Sequence, residues 1–131
     1  MKDSELRKRS KNFALNIISM CDTVDTRKGR SVLVNQIIRS ATSIGANICE
    51  ANYASSKADF INKFHIALKE CIETEYWLDL LAGSDCISQN LAKNLLQECG
   101  VIRLMLVKSI NTAKSTTKEN HHAQRNDTQR A

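Results

Sequence analysis

Proline is absent from this chain of 131 residues, glycine occurs four times, and aromatic residues make up 5% of it. Because the tight turns of sheet proteins depend on Gly and Pro, this scarcity argues against a sheet-rich fold. No apolar run approaches the roughly 20 residues that span a bilayer, and no apolar segment of signal-peptide type follows the charged first residues. We therefore expect one all-helical domain that stays in the cytoplasm and does not associate with a membrane.

The sequence also lacks the common motifs of enzymes and metal sites. Its five cysteines form no C-x-x-C pair, and their odd number does not suit a disulfide framework. No P-loop, dinucleotide-binding glycine motif or nucleophile elbow is present. His65 is the only histidine in a predicted helix, and Asn62 stands where a di-iron bundle would need Glu. We predict no catalytic residue, no metal and no cofactor. The helical cysteines are predicted to be small buried apolar residues; they are Cys21, Cys49, Cys71 and Cys99.

Apolar residues recur at spacings of three and four in four segments, which is the periodicity of amphipathic helices. The predicted helices are 4–22, 31–53, 56–82 and 88–113. Their short connections favour an antiparallel, up-down-up-down four-helix bundle. We assign residues 1–114 to the bundle domain, and we expect the polar residues 115–131 to be a disordered C-terminal tail.

The second predicted helix has a face of small and polar residues, where a solvated helix usually carries Lys and Glu. Two charges on this face, Arg39 and Glu50, are about 16 Å apart along the axis and cannot pair with each other. The pattern predicts that a neighbouring subunit covers this face and supplies partners for both charges. The predicted oligomer interface comprises Arg39, Ser43, Ala46, Asn47 and Glu50.

The third predicted helix carries an acidic ridge, formed by Glu70, Glu73, Glu75 and Asp79. Such a ridge can bind metal or do acid–base chemistry, but more often it is solvated or faces a basic surface of another subunit. Glu75 falls inside the apolar stripe of this helix. Either it is buried and has a partner, or the helix is rotated so that Glu75 reaches water.

The net charge of +5 is unevenly distributed along the chain. Residues 1–39 carry nine basic and four acidic side chains, whereas residues 40–85 carry three and seven. Basic side chains contact nucleic-acid phosphates without reading sequence, and the few aromatics make sequence-specific recognition of single strands unexpected. The alternative is that these basic residues only solvate their helix and loop. The predicted nucleic-acid-binding residues are Arg7, Lys8, Arg9, Lys11, Arg27, Lys28 and Arg30.

Two longer stretches resemble a known bacterial family. They are QIIRSATSIGANICEA at residues 36–51 and ALKECIETEYWL at residues 67–78. Both are similar to the 23S ribosomal-RNA intervening-sequence proteins, a family that includes the accessory variability determinant of diversity-generating retroelements. Ala51 departs from the Gly found in many members. The resemblance covers about residues 6–113.

This resemblance implies a four-helix bundle that assembles into a ring, typically a homopentamer, without known enzymatic activity. In the retroelement branch it implies a basic accessory protein that binds RNA or DNA and partners a reverse transcriptase. In the other branch, the gene lies within an inserted rRNA segment. The alternative function is a protein-interaction scaffold that does not bind nucleic acid.

Overall fold

The computed structural model describes the backbone of residues 2–130 and the side chains of residues 5–116. It contains four α-helices and, in the described part, no β-strand. The helices are α1 (Lys2–Asp22), α2 (Ser31–Ala51), α3 (Lys57–Gly83) and α4 (Gln89–Arg130). The all-α prediction is confirmed, and every helix end except that of α4 lies within two residues of its expected position.

Helix α4 continues beyond the end that the apolar stripe predicts at Ala113. The sequence after Gly100 contains neither Gly nor Pro, so no helix-breaking residue stops it. From residue 117 onward, the predicted disordered tail lies outside the residues with described side chains. The domain boundary at residue 114 and the disorder of the tail therefore remain predictions.

Each helix packs against the next one along the chain, and α1 packs against α4, which closes the bundle. The diagonal pairs, α1 with α3 and α2 with α4, make no close backbone contact in the described part. This arrangement places one shared core along the bundle axis, where the apolar stripes meet. Among its largest fully buried side chains are Phe13, Ile17, Ile44, Phe64, Leu78 and Leu106.

Two serine caps begin the helices of the second half. The Ser56 hydroxyl accepts a hydrogen bond from the Asp59 backbone N–H at 3.1 Å, and the Asp59 carboxylate accepts one from the Ser55 N–H. Ser88 caps α4 in the same way, by accepting from the Leu91 N–H at 3.1 Å. These caps satisfy backbone donors that the first turn of a helix leaves without a partner.

Helices α1 and α2 approach each other closely where both carry small residues. A Cβ atom added to Gly45 would lie 3.3 Å from the Ser10 hydroxyl oxygen, which is a tight contact. Ser10 is buried, and its hydroxyl donates a hydrogen bond to the Arg7 carbonyl at 3.0 Å. The absence of a side chain at Gly45 therefore allows the short distance between these helices.

A buried pair of hydroxyl groups joins α2 to α3. The Ser40 and Thr74 side-chain oxygens are 2.8 Å apart, and both residues are fully buried. The Thr74 hydroxyl also lies 2.7 Å from the Glu70 carbonyl, to which it donates. Because buried polar groups need hydrogen-bond partners, this pair favours one register of α2 against α3. Thr74 occupies the buried position for which the sequence periodicity suggested Glu75.

The prediction of buried cysteines is confirmed at three positions and wrong at one. Cys21, Cys71 and Cys99 are buried, whereas Cys49 is partly exposed because it lies at the edge of α2 that faces α1. Burial, and next the nearby Asp22 carboxylate, raise the pKa of the Cys21 thiol to about 11. This thiol therefore stays protonated at neutral pH.

Two glycine substitutions test the close approach of α1 and α2. We expect Gly45→Val to lower the free energy of unfolding by about 1–3 kcal/mol, because the added methyl groups crowd Ser10. Gly100→Ala is the control: its Cβ would meet only Arg103, at 3.7 Å, and we expect it to stabilise α4 by about 0.5–1 kcal/mol. Urea unfolding followed by circular dichroism measures both. A Gly45→Val protein as stable as wild type would contradict the close packing.

Candidate nucleic-acid interface

A groove of about 500 Å³ runs between α1 and α2 on the outside of the bundle. Its floor consists of small residues, among them Ala14, Gly45, Ala46 and Cys49. Three exposed cations from α1 also line it, namely Arg7, Lys8 and Lys11. None of these cations forms an ion pair with a described acidic side chain. The groove thus combines an apolar floor with positive charge that no described acidic side chain neutralises.

Arg9, the fourth predicted cation of α1, lies on a different side of the helix. It lines a small cavity with Phe13 of α1 and Glu98 of α4. Its guanidinium pairs with the Glu5 carboxylate at 3.3 Å, one helical turn away. The 100° step between successive helix residues explains why Arg9 is separated from its neighbours in sequence.

The three predicted cations of the α1–α2 loop lie at the opposite end of α1 from the groove cations. The Arg27 guanidinium donates hydrogen bonds to both oxygens of the Asp25 carboxylate, at 2.9 and 2.8 Å, and thereby holds the pKa of that carboxyl below its ordinary value. Arg30 donates to the Cys86 sulfur and to the Lys28 carbonyl, both at 3.3 Å. The seven predicted residues therefore do not form one surface. The positive charge of the three loop residues is partly neutralised by Asp25.

The prediction that a neighbouring subunit supplies partners for Arg39 and Glu50 is wrong. Arg39 donates to Glu73 and lies 3.6 Å from the Glu70 carboxylate, while Glu50 pairs with Lys63 at 2.9 Å. All three partners belong to α3 of the same chain, because α3 packs along this face of α2.

The other three predicted interface residues are Ser43, Ala46 and Asn47. The Asn47 side-chain amide donates to the Ser43 carbonyl of its own helix at 2.8 Å. Ala46 belongs to the groove between α1 and α2. The assignment of these residues to an oligomer interface remains a prediction.

Two carboxyl groups beside Arg39 have pKa values shifted in opposite directions. Burial raises the pKa of Glu70, whose Oε2 atom is buried without a hydrogen-bond partner. The hydrogen bond from Arg39 lowers the pKa of Glu73, which also accepts from the Trp77 indole N–H at 3.3 Å. Together these groups join α2 to α3 next to the buried hydroxyl pair.

The other two residues of the acidic ridge, Glu75 and Asp79, face α4. Glu75 is partly buried and accepts a hydrogen bond from Arg103 at 2.9 Å, so it has a partner and still reaches solvent. Asp79 lines a shallow groove with Lys93 of α4. The predicted acidic ridge is therefore divided between two helix interfaces. Within the described residues, no group of three or more His, Cys, Asp or Glu side chains is arranged to hold a metal ion.

One exposed residue near the groove was missed by the sequence analysis. Tyr53 follows the C-terminal end of α2 and is 87% exposed. Its spacing was the available signal, because it stands four residues after Cys49 and seven after Ala46, both of which line the groove. Residues at these spacings lie on one helix face.

Known proteins share this architecture. A family model described as 23S rRNA-intervening sequence protein matches residues 2–108. The chain belongs to this family. A crystal structure from Bacteroides thetaiotaomicron VPI-5482 is 41% identical, with a TM-score of 0.80, and the match covers 85% of this chain and 99% of that one. It is described as a protein of unknown function from the S23 ribosomal protein family.

The resemblance seen in residues 36–51 and 67–78 is thus confirmed at the level of the family. No curated protein matches the chain, and the descriptions of the family and of its solved member name no catalytic activity. Among the helices as far as they are described, none has the length and hydropathy needed to span a bilayer.

Replacing each of the two carboxyl groups by an amide tests the shifted pKa values. Because the pKa of Glu70 is raised in the fold, its contribution to stability is full at low pH and is lost as pH rises. Glu70→Gln should therefore gain stability relative to wild type between pH 4 and pH 7. Glu73 has a lowered pKa, so its contribution is full at neutral pH and is lost on acidification. Glu73→Gln should therefore lower the free energy of unfolding most at pH 7 and less at acidic pH. The urea midpoint of each variant is compared with that of wild type at several pH values in this range. If the difference from wild type changed with pH in the same direction for both variants, the opposite pKa shifts of Glu70 and Glu73 would be contradicted.

Proposed function

We propose that this protein is a non-enzymatic, homo-oligomeric accessory protein that binds nucleic acid along the groove between α1 and α2. The observation that carries the proposal is the set of three cations, Arg7, Lys8 and Lys11, which have no acidic partner among the described side chains and lie beside a concave surface. Phosphate groups are the natural partners of such cations, and their contacts supply affinity that does not depend on sequence.

The distribution of ion pairs supports nucleic-acid binding over the alternative, in which the basic residues only solvate their helix. The acidic residues Glu70, Glu73 and Glu75 are each engaged by an arginine between helices. In contrast, none of the described residues that line the α1–α2 groove is acidic. Positive charge without a nearby acid raises the local potential and attracts a polyanion. The same pairing favours structural roles for the three glutamates, which supports a non-enzymatic function.

Exposed apolar side chains on α3 and α4 support the homo-oligomeric part of the proposal. Ile72 and Tyr76 flank Glu75 along α3, and Leu104 and Val107 follow Arg103 along α4; all four are at least one-third exposed. Because Glu75 and Arg103 pair across the two helices, these side chains border one shared surface. Such a surface is suited to contact between copies, and an oligomer would multiply the basic groove and raise avidity.

The same apolar surface favours a second candidate function, a protein-interaction scaffold. In that case α3 and α4 dock another protein, and the cations of α1 serve only to keep the helix soluble. The two functions differ in whether the α1–α2 groove binds nucleic acid.

A matched pair of double variants tests the groove. Lys8→Gln/Lys11→Gln removes two positive charges from α1, and Lys93→Gln/Lys108→Gln removes an equal number from exposed positions of α4. We expect the α1 variant to weaken binding to RNA and DNA, and to lower the slope of log affinity against log salt by about 1 for each phosphate that is no longer bound. The α4 variant should change both quantities less. Fluorescence anisotropy at several salt concentrations measures them.

Two results would contradict the proposed function. One is the absence of binding to any oligonucleotide at micromolar protein and low salt. The other is an equal effect of the α1 and α4 variants on affinity and on the salt slope. Circular dichroism serves as the control that both variants keep the helix content of wild type. In either contradictory case, the scaffold function takes the place of nucleic-acid binding.

A further inference from the structure

Tyr53 directly follows Asn52, the last residue of the chain that is described as lining the α1–α2 groove. The backbone remains helical at Asn52 (φ −65°, ψ −19°), and the Tyr53 N–H donates to the Glu50 carbonyl at 3.0 Å. Tyr53 is therefore one turn past Cys49 on the face of α2 that lines the groove. The residue is almost fully exposed, at 87%. An aromatic side chain held in water without burial is available to pack against a ligand.

The groove has features that binding to a duplex does not require. The phosphates of a duplex need only cations, since its bases are stacked inside the helix. Here the cations stand beside a floor of small residues, including Ala14 and Ala46, and an exposed ring lies at one end. A volume of about 500 Å³ lies in the size range of ligand pockets. These features are suited to flat apolar groups that are attached to phosphates.

We propose that the α1–α2 groove binds an unpaired stretch of nucleic acid. Arg7, Lys8 and Lys11 contact its phosphates, one base stacks on the ring of Tyr53, and an adjoining base lies against Ala46. This inference rests on the proposed function and names its substrate class. A single aromatic residue per groove provides stacking that tolerates any base, in keeping with the scarcity of aromatics in the chain.

Charge complementarity favours this occupant over a second copy of the chain. The groove offers three cations without described acidic partners. The acidic side chains that a second copy would bring from α3 are mostly held in ion pairs with its own Arg39 and Arg103. A single strand brings one phosphate for every base, and therefore matches both the cations and the apolar floor.

The first experiment compares two exposed tyrosines. Fluorescence anisotropy is measured with a single-stranded oligonucleotide, as RNA and as DNA, and with a duplex of the same sequence. Wild type should bind the single strands more tightly than the duplex. We expect Tyr53→Ala to weaken single-strand binding by about 5- to 150-fold, as the loss of one stacked base does, and to leave duplex binding unchanged. Tyr53→Phe should retain the affinity. Tyr76→Ala on α3, at a residue that is 56% exposed on the surface proposed for contact between copies, is the control: any effect through assembly should change single-strand and duplex affinity by the same factor.

The second experiment uses two partly exposed cysteines, Cys49 near the C-terminal end of α2 and Cys86 in the connection between α3 and α4, next to the start of α2. Cys49 lines the groove, whereas Cys86 accepts a hydrogen bond from Arg30 at the start of α2. A single-stranded oligonucleotide should slow the alkylation of Cys49 by iodoacetamide and leave Cys86 unchanged, as measured by peptide mass spectrometry. Equal rates at Cys49 with and without the oligonucleotide would overturn the inference.

The outcomes separate this inference from the proposed function. If no oligonucleotide binds, both fail. If single strands and duplex bind equally and Tyr53→Ala behaves like Tyr76→Ala, the inference fails and the proposed function stands. If Cys49 becomes protected as protein concentration rises without oligonucleotide, a second copy covers the groove, and the inference is overturned.

Discussion

The contact between Ser10 of α1 and Gly45 of α2 sets the distance between the two helices that form the groove. Since no side chain separates the helices at Gly45, the floor of the groove consists of small residues. The long cationic side chains of Arg7, Lys8 and Lys11 then stand at its edge. A larger residue at position 45 would move α1 away from α2 and change both the floor and the spacing of the cations.

The opposite face of α2 is fixed by contacts of another kind. The Ser40–Thr74 hydroxyl pair is buried, and Arg39 lies beside it with Glu70 and Glu73 of α3. A buried hydroxyl pair is satisfied in one register only, so these contacts specify how α3 lies along α2. They engage two of the five acidic side chains of α3, and Arg103 of α4 engages a third, Glu75. None of the described residues that line the groove is acidic, so the cations of α1 give this surface its positive charge.

The period of the apolar residues was sufficient to predict four helices, most of their ends and the core. It was insufficient wherever a side chain lies near the edge of a stripe. Cys49 has the spacing of a core residue but lies at the rim of the groove, and Thr74 is buried where Glu75 was considered. A small rotation of a helix decides such positions, and that rotation depends on the neighbouring helices.

The partners of Arg39 and Glu50 were not predictable for a similar reason, because they depend on the register between α2 and α3. The cations of α1 were recognised from sequence, but the helix geometry separates Arg9 from the other three.

Photo-crosslinking tests the central claim, that the groove between α1 and α2 is where nucleic acid binds. A single-stranded oligonucleotide that contains 5-iodouridine is irradiated with the protein, and the modified peptides are mapped by mass spectrometry. The account predicts crosslinks at Tyr53, at the end of the groove, and their loss in the Lys8→Gln/Lys11→Gln variant. Crosslinks concentrated on α3, at Tyr76 or Trp77, would contradict it.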